Sequence, residues 1–328
     1  NMIKLKKLST LFLASVLLIL PTSASAANLY GVVSNKWDGI GTIQEAVGID
    51  GDTIFVGNST DLAVLSTESG GSMVSHEKNK PSFPTKGIVK TSDGNFFIAG
   101  TSGKWKVVDS SAGLVEQGQL SDKRNPRFVK KLSDGRLLLV YDKGYYAILD
   151  GDSYGVTRTG KWPNDWNIND SIQLCEDQIL MVGDKGKYQV MSLANGNVIN
   201  FGDWGSTKHD ITSIDRLSDG TIIAVGEGAK FALFNKEGKK IESSELTDQE
   251  SKNYKWNKVV ALKDKHALVI SSTGQMLLVQ IDGNNKISVK AKTKLNNYTS
   301  NGTVVKIKEN QVFVTLGSGR YMVYQADL

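Results

Sequence analysis

The sequence predicts an all-β fold assembled from seven copies of one four-stranded antiparallel unit. Three observations carry that prediction. A turn motif returns at a nearly constant interval, the apolar runs between turns are too short for most helices, and each chain end lacks what the other can supply.

The interval is set by an acidic turn at Asp50, Asp93, Asp134, Glu176, Asp219, Asp264 and Glu309, with gaps of 43, 41, 42, 43, 45 and 45 residues. Self-similarity at this period marks a repeat architecture. The copies read "GIDGDTIFVG", "TSDGNFFIAG", "LSDGRLLLVY", "LCEDQILMVG", "LSDGTIIAVG", "LKDKHALVIS" and "IKENQVFVTL". Each is a strand end, a tight turn and an apolar strand.

A second turn follows about four residues later in most copies, as "TSGKW", "DKGYY", "DKGKY", "GAKF", "STGQM" and "GSGRY". Glycine suits a turn that needs positive φ or close backbone approach. A third strand comes next ("KWKVVD", "YYAILD", "KYQVMS", "KFALFN", "QMLLVQ", "RYMVYQ"), then a polar turn and a fourth ("GLVEQGQ", "GVTRTGK", "NVINFGD", "KIESSEL"). The apolar runs last about five to seven residues and are rich in Val, Ile, Leu, Tyr and Phe, which selects strand over helix. The acidic turn residues, with their Asp-Gly and Glu-Asn pairs, read as turn formers.

The last copy stops at Leu328 after three strands, whereas a strand-like run, "NLYGVVS" (28–34), precedes the first copy. A ring closed by that N-terminal strand accounts for both and leaves no exposed edge at the seam. Four short strands per unit, seven units and a closed ring are the pattern of a β-propeller. Over residues 27–328 the chain resembles the seven-bladed β-propeller superfamily. Within it no functional family is matched: the Trp-Asp endings of WD40 repeats, the paired glycines of kelch repeats (apart from Gly70-Gly71) and the aspartate box of sialidases are all missing. The resemblance implies a fold, and a fold does not fix a function.

Residues 1–26 are expected to be a secretory signal peptide, with "KLKK" before an apolar run to Leu20 and cleavage after Ala26 in Ala24-Ser25-Ala26. The expected product is a secreted, extracellular protein with no membrane span. The net charge of +5 includes Lys4, Lys6 and Lys7, so residues 27–328 carry +2. Such a balance argues against nucleic acid as a partner. Cys175 is the single cysteine, which rules out an internal disulfide.

Candidate functional residues are sought on the face where the fourth-to-first connections and second-to-third turns meet the channel. Five of the six tryptophans, Trp37, Trp162, Trp166, Trp204 and Trp256, fall in these connections. Two readings are open: indoles wedged between blades, or a stacking surface for sugar rings with polar partners Asp165, Asn167, Asp170 and Asp210.

Enzyme chemistry has little to build on. The six arginines do not occupy equivalent positions in three blades, and His76, His209 and His266 fall at different points of their repeats, which suggests surface histidines. Neither a catalytic residue, nor a metal site, nor a cofactor is expected. The reading is an exported, non-catalytic binding or scaffold protein that recognises a glycan or envelope component. Two alternatives stay open: a carbohydrate-active enzyme using rim carboxylates Asp38, Asp165, Asp170 and Asp210, and a propeller whose face docks on an envelope or secreted protein.

Overall fold

The computed structural model describes residues 27–37, 42–58, 61–68, 73–77, 83–246, 254–298 and 302–328. The expected signal peptide and Asp38 lie outside them. Seven sheets of four antiparallel strands follow one another around a central channel. We number them blade 1 (45–77), blade 2 (85–119), blade 3 (126–161), blade 4 (168–203), blade 5 (211–245), blade 6 (256–294) and blade 7 (304–327 with 28–36).

Blade 7 carries the closure. Strand Asn28–Lys36 pairs antiparallel with Arg320–Asp327, with Gly31 opposite Tyr324, Val33 opposite Val323 and Asn35 opposite Tyr321. The first strand among the described residues therefore completes the last sheet.

The second strands are buried on both faces, as in Leu137–Tyr141 and Ile222–Gly226, and most third strands nearly so, as in Tyr145–Leu149. This explains why those runs are continuously apolar rather than alternating. Fourth strands are mostly exposed. Large apolar side chains that reach solvent, such as Val115, Val198 and Phe201, all lie on these outer strands among the described residues.

The acidic turns do what their chemistry suggests. Asp50 accepts from the N–H groups of Asp52 and Thr53, Asp134 from Arg136, and Asp219 from Thr221. These side chains replace backbone partners in the turn. Their recurrence is structural.

Candidate functional site

Two sets of hydrogen bonds build the channel face. In the first, the residue just after an outer strand donates its N–H to the turn between the second and third strands of its own blade. Trp37 reaches Gly319 at 2.8 Å, Leu120 reaches Gly103 at 2.9 Å, Trp162 reaches Gly144 at 2.9 Å and Trp204 reaches Gly186 at 3.1 Å. Leu246 and Leu295 make the same bond to Ala229 and Gly274, at 2.6 and 2.8 Å. Three of the candidate tryptophans thus hold one repeat position, filled by leucine in three other blades.

Their side chains point inward. Trp37, Trp162, Trp204 and Trp256 are 1%, 1%, 2% and 0% exposed. Trp162 packs with Leu138, Val140, Ile168 and Met181, and Trp204 with Val182, Ile211 and Ala224, so both sit at blade junctions. The expected sugar-stacking surface of five indoles is therefore not formed: these four are wedges. Burying a large aromatic between sheets contributes more than exposing it. Trp166 alone is partly exposed, and it stacks on Phe201 of an outer strand at 6.4 Å with the rings 8° apart.

The second set staples neighbouring blades. The last residue before an inner strand accepts, through its side chain, from the preceding blade's turn: Asn125 from Ser102 N–H at 2.9 Å, Asn167 from Lys143 N–H at 2.8 Å, and Asp210 from Lys185 N–H at 2.8 Å. Within the following blade, Asp184 and Glu227 accept from the backbone N–H groups of Asn167 and Asp210, so each of these residues is tied to the turns of two blades. Candidate residues Asn167 and Asp210 are therefore a repeat feature as well as surface groups.

Inner strands of five blades open with a β-bulge. The extra residues are Lys86, Arg127, Asn169, Thr212 and Asn257, each skipped in the pairing register. A bulge re-aims a side chain, and every one of these is polar. Arg127 donates to Asn169 Oδ1 at 2.9 Å and to Asp142 at 2.9 Å, while Asn169 donates to the carbonyl of Ile211 at 2.9 Å. Sequence reasoning missed this ring because its members differ in type; only their spacing, one residue into each inner strand, could have shown it.

Three of the ring residues help line a cavity of about 360 Å³, formed by Arg127, Asn167, Asn169, Asp184, Asp210, Thr212 and Lys255. All seven are polar. Lys255 Nζ pairs with Glu227 at 2.9 Å. The carboxyl of Asp210 is pushed above the usual range chiefly by burial, although the Lys185 N–H lowers it, with Asp184 and Glu227 adding repulsion.

The remaining candidates separate. Asp165 is exposed and ion-paired with Lys161. Asp170 lies one residue past the bulge inside the channel, 7% exposed, with Lys130 Nζ at 2.8 Å, the Ile214 N–H at 3.0 Å and Ser213 Oγ at 3.2 Å. Burial raises its carboxyl, but Lys130, Lys258 and these bonds prevail and hold it below the usual range. His266 is buried, not at the surface as expected. Its place at the head of a buried second strand explains this.

No protein-family model matches the sequence, and no curated protein does. Solved structures do match. The fold is a seven-bladed β-propeller. Virginiamycin B lyase from Staphylococcus aureus is similar with a TM-score of 0.74 at 8% identity, covering 91% of this chain and 99% of the lyase. The WD40 β-propeller domain of Doa1 gives 0.67 at 11% identity, covering 90% and 97%. BamB from Moraxella catarrhalis gives 0.61 at 13% identity, covering 91% and 100%. Likeness at this identity extends to the fold alone. No helix among the described residues is long and apolar enough to cross a membrane.

Proposed function

We propose that this chain is an exported, non-catalytic binding propeller that takes a hydroxyl-rich ligand, a glycan, at the mouth of its channel. One observation carries the reading: the 360 Å³ mouth cavity is lined wholly by hydrogen-bonding side chains. They come from blades 3, 4 and 5 and the approach to blade 6. Arg127, Lys255 and the amides donate, while Asp184 and Asp210 accept, which is the mixed complement that sugar hydroxyls need. Recognition here runs through polar groups rather than through indole stacking. An apolar docking surface is not favoured on this face, since the exposed large apolar side chains lie on the outer strands.

A glycan array probed with the full chain, followed by titration of the best hit, tests the reading. Saturable binding that Lys255→Ala weakens supports it. Absence of any glycan hit, or hits indifferent to that change, counts against it.

One observation favours a catalytic second reading. Asp210 combines a raised carboxyl with Asp184 and Glu227 close by, the environment of a general acid. Cleavage of a polysaccharide that Asp210→Asn abolishes, with melting unchanged, would establish it.

A further inference from the structure

A second cavity of about 570 Å³ is lined by inner-strand residues around the channel, shares Arg127 and Asn169 with the first, and has an electrically uneven wall. On blades 3 to 5 the charges are met from within. Lys130 pairs with Asp170 at 2.8 Å, Asp170 also takes the Ile214 N–H, Asp215 takes the Ala261 N–H at 2.7 Å, and Arg127 bonds Asp142.

The opposite arc is different. Lys258 of blade 6, Lys306 of blade 7 and Glu45 of blade 1 line the same cavity, and Lys86, the bulge residue of blade 2, acts on Glu45 from the next strand. Lys258 and Lys306 thus line the cavity beside Glu45, and a third lysine, Lys86, acts on that carboxylate from outside the lining, while Lys258 acts on Asp170 as well. None of the three has a hydrogen-bonded carboxylate partner among the described residues. Cations gathered in a walled cavity create a positive potential that focuses on mobile anions.

We propose that this arc is an anion site, where a small multivalent oxyanion, polycarboxylate or phosphate-type, binds to Lys258 and Lys306 as Glu45 releases its hold on Lys258. Burial pushes the Glu45 carboxyl up to about 7 even though Lys258 and Lys86 oppose the rise. A modest fall in pH therefore neutralises it and leaves the lysines to the ligand. The other charged groups around the cavity are Lys130, Arg127, Asp170 and Asp215; Asp215 is also raised, chiefly by burial.

Calorimetric titration of the full chain with sulfate and with citrate, against chloride at matched ionic strength, tests this at pH 6 and pH 8. Sulfate stands for a phosphate-type group and keeps its charge over that range; citrate stands for a polycarboxylate. The expected result is saturable binding of at least one, tighter at pH 6. Lys258→Gln and Lys306→Gln should each weaken it tenfold or more, whereas Lys255→Ala at the mouth should leave it unchanged. Glu45→Gln should tighten binding at pH 8 and remove the pH difference for sulfate. The proposal is overturned if neither anion binds saturably, if both lysine variants bind like the parent while melting normally, or if Glu45→Gln keeps the pH dependence.

Discussion

The backbone N–H of Trp162 donates to the carbonyl of Gly144 at 2.9 Å, and the indole above that bond is 1% exposed. Leucine makes the equivalent bond at Leu120, Leu246 and Leu295. The position needs a large apolar plug, and tryptophan is one way to supply it. Trp162→Ala should therefore destabilise by roughly 3 to 5 kcal/mol, whereas Trp162→Leu should lose less than half of that. Denaturant unfolding of the two variants measures the ratio; equal losses would mean that the indole has a role leucine cannot fill.

The seam in blade 7 makes a second prediction. Deleting residues 27–36 removes the strand opposite Arg320–Asp327 and bares its edge. The truncated chain should melt lower and associate in gel filtration. A synthetic peptide of the deleted residues should reverse both effects.

Asp170 predicts an acid limb. Its folded carboxyl lies below the ordinary value, so its stabilising contribution is complete at neutral pH and fades as pH falls below about 4, through the folded value. Asp170→Asn should destabilise by about 2 to 3 kcal/mol at pH 7, because it leaves Lys130 without its charge partner and weakens the acceptor for Ile214. Its melting temperature should then fall less than the parent's between pH 5 and pH 3.

Two glycines at the ends of second strands admit no side chain. A Cβ on Gly183 would stand 1.9 Å from the carbonyl oxygen of Asn167, and one on Gly226 would stand 2.0 Å from that of Asp210. Backbone cannot yield as a flexible side chain can, so Gly183→Ala and Gly226→Ala should each destabilise by about 2 kcal/mol or more. Gly94→Ala meets no atom, and should show only the milder strain of its positive φ. Thermal melts of the three separate crowding from conformation.

The repeat and its closure were legible because both rest on periodic chemistry: a turn acid such as Asp134, a turn glycine such as Gly144, and an apolar run such as 137–141. The site was less legible. Trp162 and Trp204 drew attention as loop aromatics, yet the residue after each outer strand folds back into the blade junction, a turn inward that composition does not reveal. Asn167 and Asp210 were found, but their stapling of adjacent blades depends on contacts 24 and 25 residues away. Arg127, Asn169 and Thr212 escaped notice because a bulge, not a residue type, brings them to the mouth. Glu45, Lys258 and Lys306 meet only when the ring closes.

The central claim is that the ligand is held by the polar mouth and not by aromatic stacking. Its most direct test is the affinity of the best glycan hit for the parent chain, for Lys255→Ala and for Trp166→Ala, the last removing the partly exposed indole of this face. The account predicts a loss of tenfold or more for Lys255→Ala and an affinity within twofold of the parent for Trp166→Ala. A large loss for Trp166→Ala with none for Lys255→Ala would contradict it.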